Sequence, residues 1–474
     1  METTTLPDRP RRRLGPWAMF FLVSGLLAVL LVLLLLVAVG TVVHRASARA
    51  EREMAEIRQA GEPVTGEELN ERYRVPAGAE DTTELWLDAT GPLESEAFNL
   101  DAASLPILGD SEAVIPPAGQ PWPELEAAEK LLDAYGRSVE MLHQAADRGG
   151  AARYPVDFRQ GLTALFPHMQ PLRQGARVLS LAAWVRAHRG DPHGAAESIH
   201  AIFMLARSLE REPTLVSMLV RIACDGIARE QCQSLLASIE FSDEDLAEFQ
   251  EDLRAAEYRE HAREAMLGER VTGLIAIEKP GDWQEGGDGG FLGAAWRLSQ
   301  GEGTAFYLEH MSDLIAATEL PWPGPLDEAA RLDVQLSALG RGPSLTKIRY
   351  VIPILLAPAL GGALDAVARG AALNGAADAA IACERYRRRH GELPERLDQL
   401  VPEFLPEVPV DPYTREPLQY VVRDDEYLVY SVGHNRIDEG GLIGEDNLQG
   451  DHVFRVGPPM EAEEGGEESA GAPD

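Results

Sequence analysis

Three kinds of residue are scarce in this chain, and each scarcity narrows what it can do. There are only three cysteines in 474 residues. Cys224 and Cys232 are eight apart on an expected helix, which separates them by about 12 Å along its axis, too far for a disulfide. Cys383 stands alone on another expected helix, so all three read as small buried apolar residues and the fold must rest on its core. Positive charge is scarce too: 43 Lys and Arg face 77 Asp and Glu, a formal net charge of −34. Nucleic-acid phosphates demand a basic surface, so this balance excludes DNA or RNA as a partner. The three lysines among many arginines fit the coding bias of a GC-rich genome. Also missing is any local catalytic signature: no Gly-x-Ser-x-Gly, no Cys/His nucleophile pattern and no His-Glu-x-x-His.

What is present begins with an apolar run. Pro16 to Val43 carries no charge, and Phe20 to Val39 is almost entirely Leu, Val and Ala. A bilayer needs about 20 apolar residues in a helix, so residues 16–43 predict a single transmembrane helix in contact with the lipid. Arg9, Arg11, Arg12 and Arg13 precede it, while Arg45, Arg49 and Arg52 after it alternate with Glu51, Glu53 and Glu56. That asymmetry predicts a cytoplasmic segment at 1–15, an inner-membrane location and an extracytoplasmic remainder. A cleaved signal peptide is the alternative, with His44-Arg45 standing where a small-residue cleavage site belongs.

Composition divides the rest. Residues 44–123 predict a charged stalk and then a loose Pro/Gly-rich connector, with Pro116-Pro117 and Pro121-Trp122-Pro123. Residues 124–344 predict a helical domain. Leu125, Ala128, Leu131 and Leu132, then Val178, Leu181, Ala182 and Val185, recur at helical spacing. Gly190-Asp191-Pro192 and Glu212-Pro213 break the helices, and Leu215 to Leu236 reads as one long amphipathic helix. The hairpin around Gly190 resembles a tetratricopeptide pair, but no second copy follows at a fixed period, so a compact antiparallel bundle is expected. A Gly-rich acidic loop at 280–303 lacks the Lys-Ser/Thr of a phosphate loop. Tyr350 to Leu364 is apolar but short, and reads as a buried helix; as a second span it would return the C-terminus to the cytoplasm. Residues 457–474 predict a disordered acidic tail.

Residues 345–456 predict a long helix followed by a small α+β unit. The helix ends at His390-Gly391, where Gly can close it in the left-handed conformation. Leu393-Pro394 starts a short turn through Leu397 and Leu400. Asp411-Pro412 and Glu416-Pro417 set further turns. Alternating residues on both sides of Arg423-Asp424-Asp425 predict a β-hairpin with Leu418, Tyr420 and Val422 on one face.

In order and spacing, Tyr386, Gly391, Pro394, Asp411-Pro412, Pro417, Tyr420, Tyr430-Ser431-Val432-Gly433, Gly440-Gly441 and Gly444-Glu445-Asp446 resemble the globular part of the major pseudopilin of bacterial type II secretion systems. The resemblance covers roughly residues 376–456. It implies the pseudopilin fold there and a protein partner in envelope or secretion machinery. The N-terminus departs from that family: Gly15-Pro16-Trp17 and Phe20 replace the prepilin cleavage site and its glutamate, which argues against filament assembly.

Three polar constellations remain. Asn435, Asp438, Glu439, Asp446, Asn447 and Asp451 offer hard oxygen ligands on a Gly-rich loop, which suits Ca²⁺; a solvated acidic loop is the alternative. The pseudopilin resemblance implies that Asp446 is a calcium ligand, with Ser431 or its neighbours adding backbone oxygen. Asn435 stands where the family has Asp, so Asp438 or Asp451 would have to restore the charge. His193, Glu197 and His200 share one helical face and could hold zinc, or be solvated side chains opposite Ile199, Phe203 and Ala206. Glu260, His261 and Glu264 form a candidate acid–base set with no visible nucleophile. The sequence thus predicts a mainly α, membrane-anchored protein with a binding or assembly role, and a hydrolase as the alternative.

Overall fold

The computed structural model describes residues 16–109, 111, 113–278, 291–343, 350–423, 426–444 and 448–457. It is mainly helical, with one three-stranded antiparallel sheet near the C-terminus. The helices are α1 (Pro16–Gln59), α2 (Gly66–Arg72), α3 (Thr83–Thr90), α4 (Glu96–Ala102), α5 (Leu125–Ala134), α6 (Gly136–Arg148) and α7 (Met169–His188). They continue with α8 (Pro192–Arg207), α9 (Leu215–Leu236), α10 (Asp243–Ala255), α11 (Arg259–Glu278), α12 (Phe291–Ala317), α13 (Gly324–Gly340) and α14 (Val351–His390).

Local chemistry sets many of the boundaries. Asp191 caps α8 by accepting from the Gly194 amide, with Pro192 at the first helical position, where its missing N–H costs nothing. Thr214 caps α9 through the Ser217 amide, and Ser242 and Asp245 form a reciprocal capping box on α10. Gly391 closes α14 at φ 84°.

Helices α6 to α10 enclose the main core, where Leu142, Leu172, Leu179, Ile199, Leu205, Leu246 and Phe249 are fully buried. That core continues without a break into the C-terminal unit. Ala376, Ala377, Ala379 and Ala380 on α14 have no exposed surface, and such small side chains let α9, α10 and the sheet approach the same helix. A second core joins α9, α11, α12, α13 and α14 through Met218, Met266, Leu308, Met311, Leu332 and Leu364.

The predicted hairpin is β1 (Gln419–Arg423) paired with β2 (Glu426–Ser431), with Gln419 opposite Tyr430. A third strand, β3 (His452–Val456), adds antiparallel to β2 and completes the order β1-β2-β3. Its alternation of buried His452, Phe454 and Val456 with half-buried Val453 and Arg455 is the period-two signal of a one-sided strand.

Three sequence expectations need correction. The stretch 61–123 is no loose connector: it forms α2, α3 and α4, and Trp86, Leu93, Phe98 and Leu105 join the main core. The expected bilayer-spanning helix at 16–43 is overturned as well. Among the described residues, no helix is long and apolar enough to cross a membrane. α1 continues unbroken into charged sequence and packs on α12, with Ala50 and Ile57 buried and Arg49 paired to Glu309. The single-pass topology and the inner-membrane location fall with that helix. Trp17, Phe20, Leu26 and Leu31 on α1 are exposed. The expectations for 1–15, for 280–290 of the Gly-rich loop and for the tail from 458 lie outside the described residues, while 291–303 of that expected loop form the first turns of α12.

Candidate ligand-binding site

The turn between α8 and α9 carries a charged residue into the interior. Glu212 has no exposed surface, and its Oε2 accepts hydrogen bonds from the Tyr73 hydroxyl (3.0 Å) and from His168 Nε2 (2.9 Å). Buried carboxylates persist only when hydrogen-bonded, and these two donors supply that. Tyr73 ends α2, and its hydroxyl also accepts from the Tyr154 amide at 2.9 Å. The Tyr154 ring stacks on His168 with centroids 4.3 Å apart, and its hydroxyl bonds Ser208 at 2.7 Å. Burial and the neighbouring Glu212 hold the Tyr73 hydroxyl well above its ordinary pKa, so it stays a donor.

α11 completes the arrangement. His261 Nε2 donates to the Glu212 carbonyl at 2.9 Å, while its Nδ1 is buried without a partner among the described residues. Burial, helped by the charge of Arg221, pushes His261 down to about 3, so the ring is neutral at ordinary pH. One turn further on, Glu264 accepts two bonds of 2.6 Å from Arg72, a bidentate clamp that ties α2 to α11.

Between these elements lies a cleft of about 350 Å³. Tyr73, Pro213, Arg221 and His261 are its buried lining, and the Arg72–Glu264 pair forms a wall. Arg211, Glu257 and Glu260 are exposed at its mouth, beside half-buried Glu210. Arg221 stands out. It is 2% exposed and lies over the Tyr258 ring at 5.3 Å, yet it makes no hydrogen bond or ion pair among the described residues. Asp225, one turn along α9, is committed to the Tyr258 hydroxyl at 2.9 Å; burial pushes it up to about 6 against the pull of Arg221.

The structure distributes the sequence candidates unevenly. Glu260, His261 and Glu264 come together at this cleft. His193 and His200 do not reach it: each faces a carboxylate on α10, with Nδ1 of His193 2.8 Å from Asp245 and Nδ1 of His200 2.8 Å from Asp252. Glu197 is 3.7 Å from His193 and 3.5 Å from Arg186. In the acidic loop, Asp446 lies outside the described residues. Asp438 accepts from the Tyr430 hydroxyl and the Gly440 amide, Asn435 donates to Glu439, and Asp451 accepts from the Gly441 amide at 2.6 Å. Ser431 bonds Asp411 at 3.0 Å. Among the described residues no group of three or more His, Cys, Asp or Glu could hold a metal ion, at either the histidines or this loop. The cysteines are all buried and free.

Sequence reasoning missed Tyr73, His168, Glu212 and Arg221. One signal was available for Arg221: with Met218, Ile222, Asp225 and Cys232 it falls on the buried stripe of α9, where a charge is costly. No protein family, no curated protein and no solved structure matches this chain.

Proposed function

We propose that this chain is a binding protein that holds a small polar ligand in the cleft between α2, the 210–213 turn and α11. The observation that carries this reading is Arg221, a buried cation lining an open cleft with no ion-pair or hydrogen-bond partner within bonding distance among the described residues. A buried polar group left unpaired costs about 1–3 kcal/mol, more for a charge, so such a group marks a position completed by something else. The surrounding groups are fixed before any ligand arrives, by the Arg72–Glu264 clamp and the Tyr73–Glu212–His168 bonds. Preorganisation of that kind lowers the entropic cost of binding.

The lining favours binding over hydrolysis. It contains no serine, threonine or cysteine. His261 spends Nε2 on a backbone carbonyl and is too weak a base, at about 3, to activate water near neutrality. An assembly role for residues 376–456, suggested by the pseudopilin resemblance, is compatible with this reading and separate from it.

The test uses the full chain. Glu260 is exposed at the mouth, so Glu260→Trp obstructs the cleft without disturbing the core. Thermal unfolding is followed against a panel of small polar compounds. A stabilisation lost in Glu260→Trp and kept in Glu244→Trp, an exposed glutamate on α10, supports the cleft. A stabilisation indifferent to both substitutions places binding elsewhere and sinks the reading.

A further inference from the structure

Arg72 and Glu264 neutralise one another. What remains is graded by depth: Arg221 is buried in the lining, while the mouth carries Glu257, Glu260 and Arg211, all exposed, and Glu210, which lies 3.7 Å from Arg207. The Tyr258 ring covers one face of the Arg221 guanidinium. Stacking of this kind uses the face and leaves the in-plane N–H groups available, which is the geometry that grips an oxyanion with two parallel bonds. Glu260 has no hydrogen-bond or ion-pair partner among the described residues, and Glu257 accepts only from the Arg259 amide.

We propose that the ligand is a small zwitterion, an amino acid or short peptide, whose carboxylate meets Arg221 and whose ammonium group faces Glu257 and Glu260. This rests on the reading of the cleft as a ligand site and adds its chemical class. A volume of about 350 Å³ suits a ligand of that size. A phosphate dianion fits less well. It would satisfy Arg221 but bring two charges past a mouth that holds three glutamates, Glu210, Glu257 and Glu260, against one arginine, Arg211. A simple cation fares worse, since it would meet Arg221 with like charge. The neutral His261 beside Arg221 adds no second positive charge and leaves room for one anionic group.

Four probes separate the sources of affinity on the full-length protein by calorimetric titration: diglycine, acetate, ethylamine and inorganic phosphate. Diglycine is expected to bind at least about tenfold more tightly than the other three, the scale of one added charge-assisted contact. Arg221→Lys retains the charge, loses the planar fork and weakens diglycine by about tenfold; its melting temperature reports whether the fold survives. The exposed pair Glu257→Gln with Glu260→Gln should bring diglycine down to the level of acetate in the same variant, with acetate itself no weaker than in the parent. Phosphate binding as tightly as diglycine, or a diglycine-to-acetate ratio unmoved by the glutamate pair, overturns the zwitterion and leaves the cleft standing. No binding by any probe also overturns it, and the cleft itself is then judged by the obstruction at Glu260.

Discussion

Gly268 on α11 is pressed against the backbone of Pro213, so closely that a β-carbon there would fall 1.7 Å from the Pro213 carbonyl oxygen. This contact seats α11 on the turn that carries Glu212, and so fixes His261 and Glu264 relative to Arg221. No rotamer change relieves a clash with backbone. Gly268→Ala should therefore destabilise the protein by about 3 kcal/mol, as overpacking does in a filled interior. Gly362 is the control: it lies within α14 with nothing within 4 Å of a built β-carbon. Gly362→Ala should stabilise by about 0.5–1 kcal/mol, the helix-propensity difference. Urea midpoints that shift alike for both would remove the special role of the Pro213 contact.

The Tyr73 hydroxyl holds two partners at once, Glu212 and the Tyr154 amide. Tyr73→Phe leaves a buried carboxylate short of one donor and a buried N–H unpaired. A loss of about 2–3 kcal/mol follows. Glu212→Gln keeps the shape but replaces the double acceptor. Because both changes strike one network, the double variant should lose less than the sum of the singles, with an interaction of at least about 0.5 kcal/mol. Strict additivity in denaturant titrations would mean that the two residues are not coupled.

The parts of this molecule that could be read in its sequence are those with long, local periodicity. The stripe of α9 and the Gly190-Asp191-Pro192 break before α8 announce themselves, and so does the closure of α14 at Gly391. Residues 61–123 did not, because α3 and α4 are only about two turns long and their apolar residues lie scattered among Pro and Gly. Strand β3 carries a legible alternation, but 20 residues of Gly-rich acidic loop with no strand period separate it from the hairpin. The cleft shows the limit most clearly. Glu260, His261 and Glu264 are neighbours in sequence, whereas Arg72, Glu212 and Arg221 reach them through tertiary contacts that no spacing rule encodes.

Acid should unfold this protein through its buried histidines. Burial, with nearby arginine charge, pushes His261 down to about 3 and His143 to about 4, against an ordinary value of 6.5. Between those values and 6.5 the unfolded chain binds protons that the folded chain refuses. Their contribution is therefore complete above 6.5 and is lost progressively as the pH falls toward 3–4, by up to about 1.4 kcal/mol per pH unit for each proton. His193 runs the other way: its bond to Asp245 raises its pKa, so its contribution is present below 6.5 and fades as the pH rises through the raised value. Urea titrations across this range should show His261→Gln with a shallower acid slope than the parent, and proton NMR should place the His193 titration above 6.5. An unchanged acid slope in His261→Gln would refute the assignment.

The last prediction concerns Asp451, which is 3% exposed in the acidic loop. Its Oδ2 accepts from the Gly441 amide at 2.6 Å, and the neighbouring Glu439 has an Oε2 buried without a partner among the described residues. Burial, together with the Glu439 carboxyl, pushes Asp451 up to about 6. Because the folded value exceeds the unfolded one near 3.8, the protonated carboxyl stabilises the fold at low pH, and that stabilisation is lost as the pH rises through 6. At neutral pH, then, Asp451 is held ionised at a cost. Asn at this position keeps an acceptor for the Gly441 amide and offers Glu439 a donor in place of a second negative charge. Asp451→Asn should accordingly raise stability at about pH 7.5 by about 1 kcal/mol, and the gain should shrink to near zero at about pH 5. Asp438→Asn supplies the comparison, since Asp438 is already served by the Tyr430 hydroxyl and the Gly440 amide and no such gain is expected. A stabilisation by Asp451→Asn that is equal at both pH values would show that size or hydrogen bonding, and not the paired carboxyls, governs this loop.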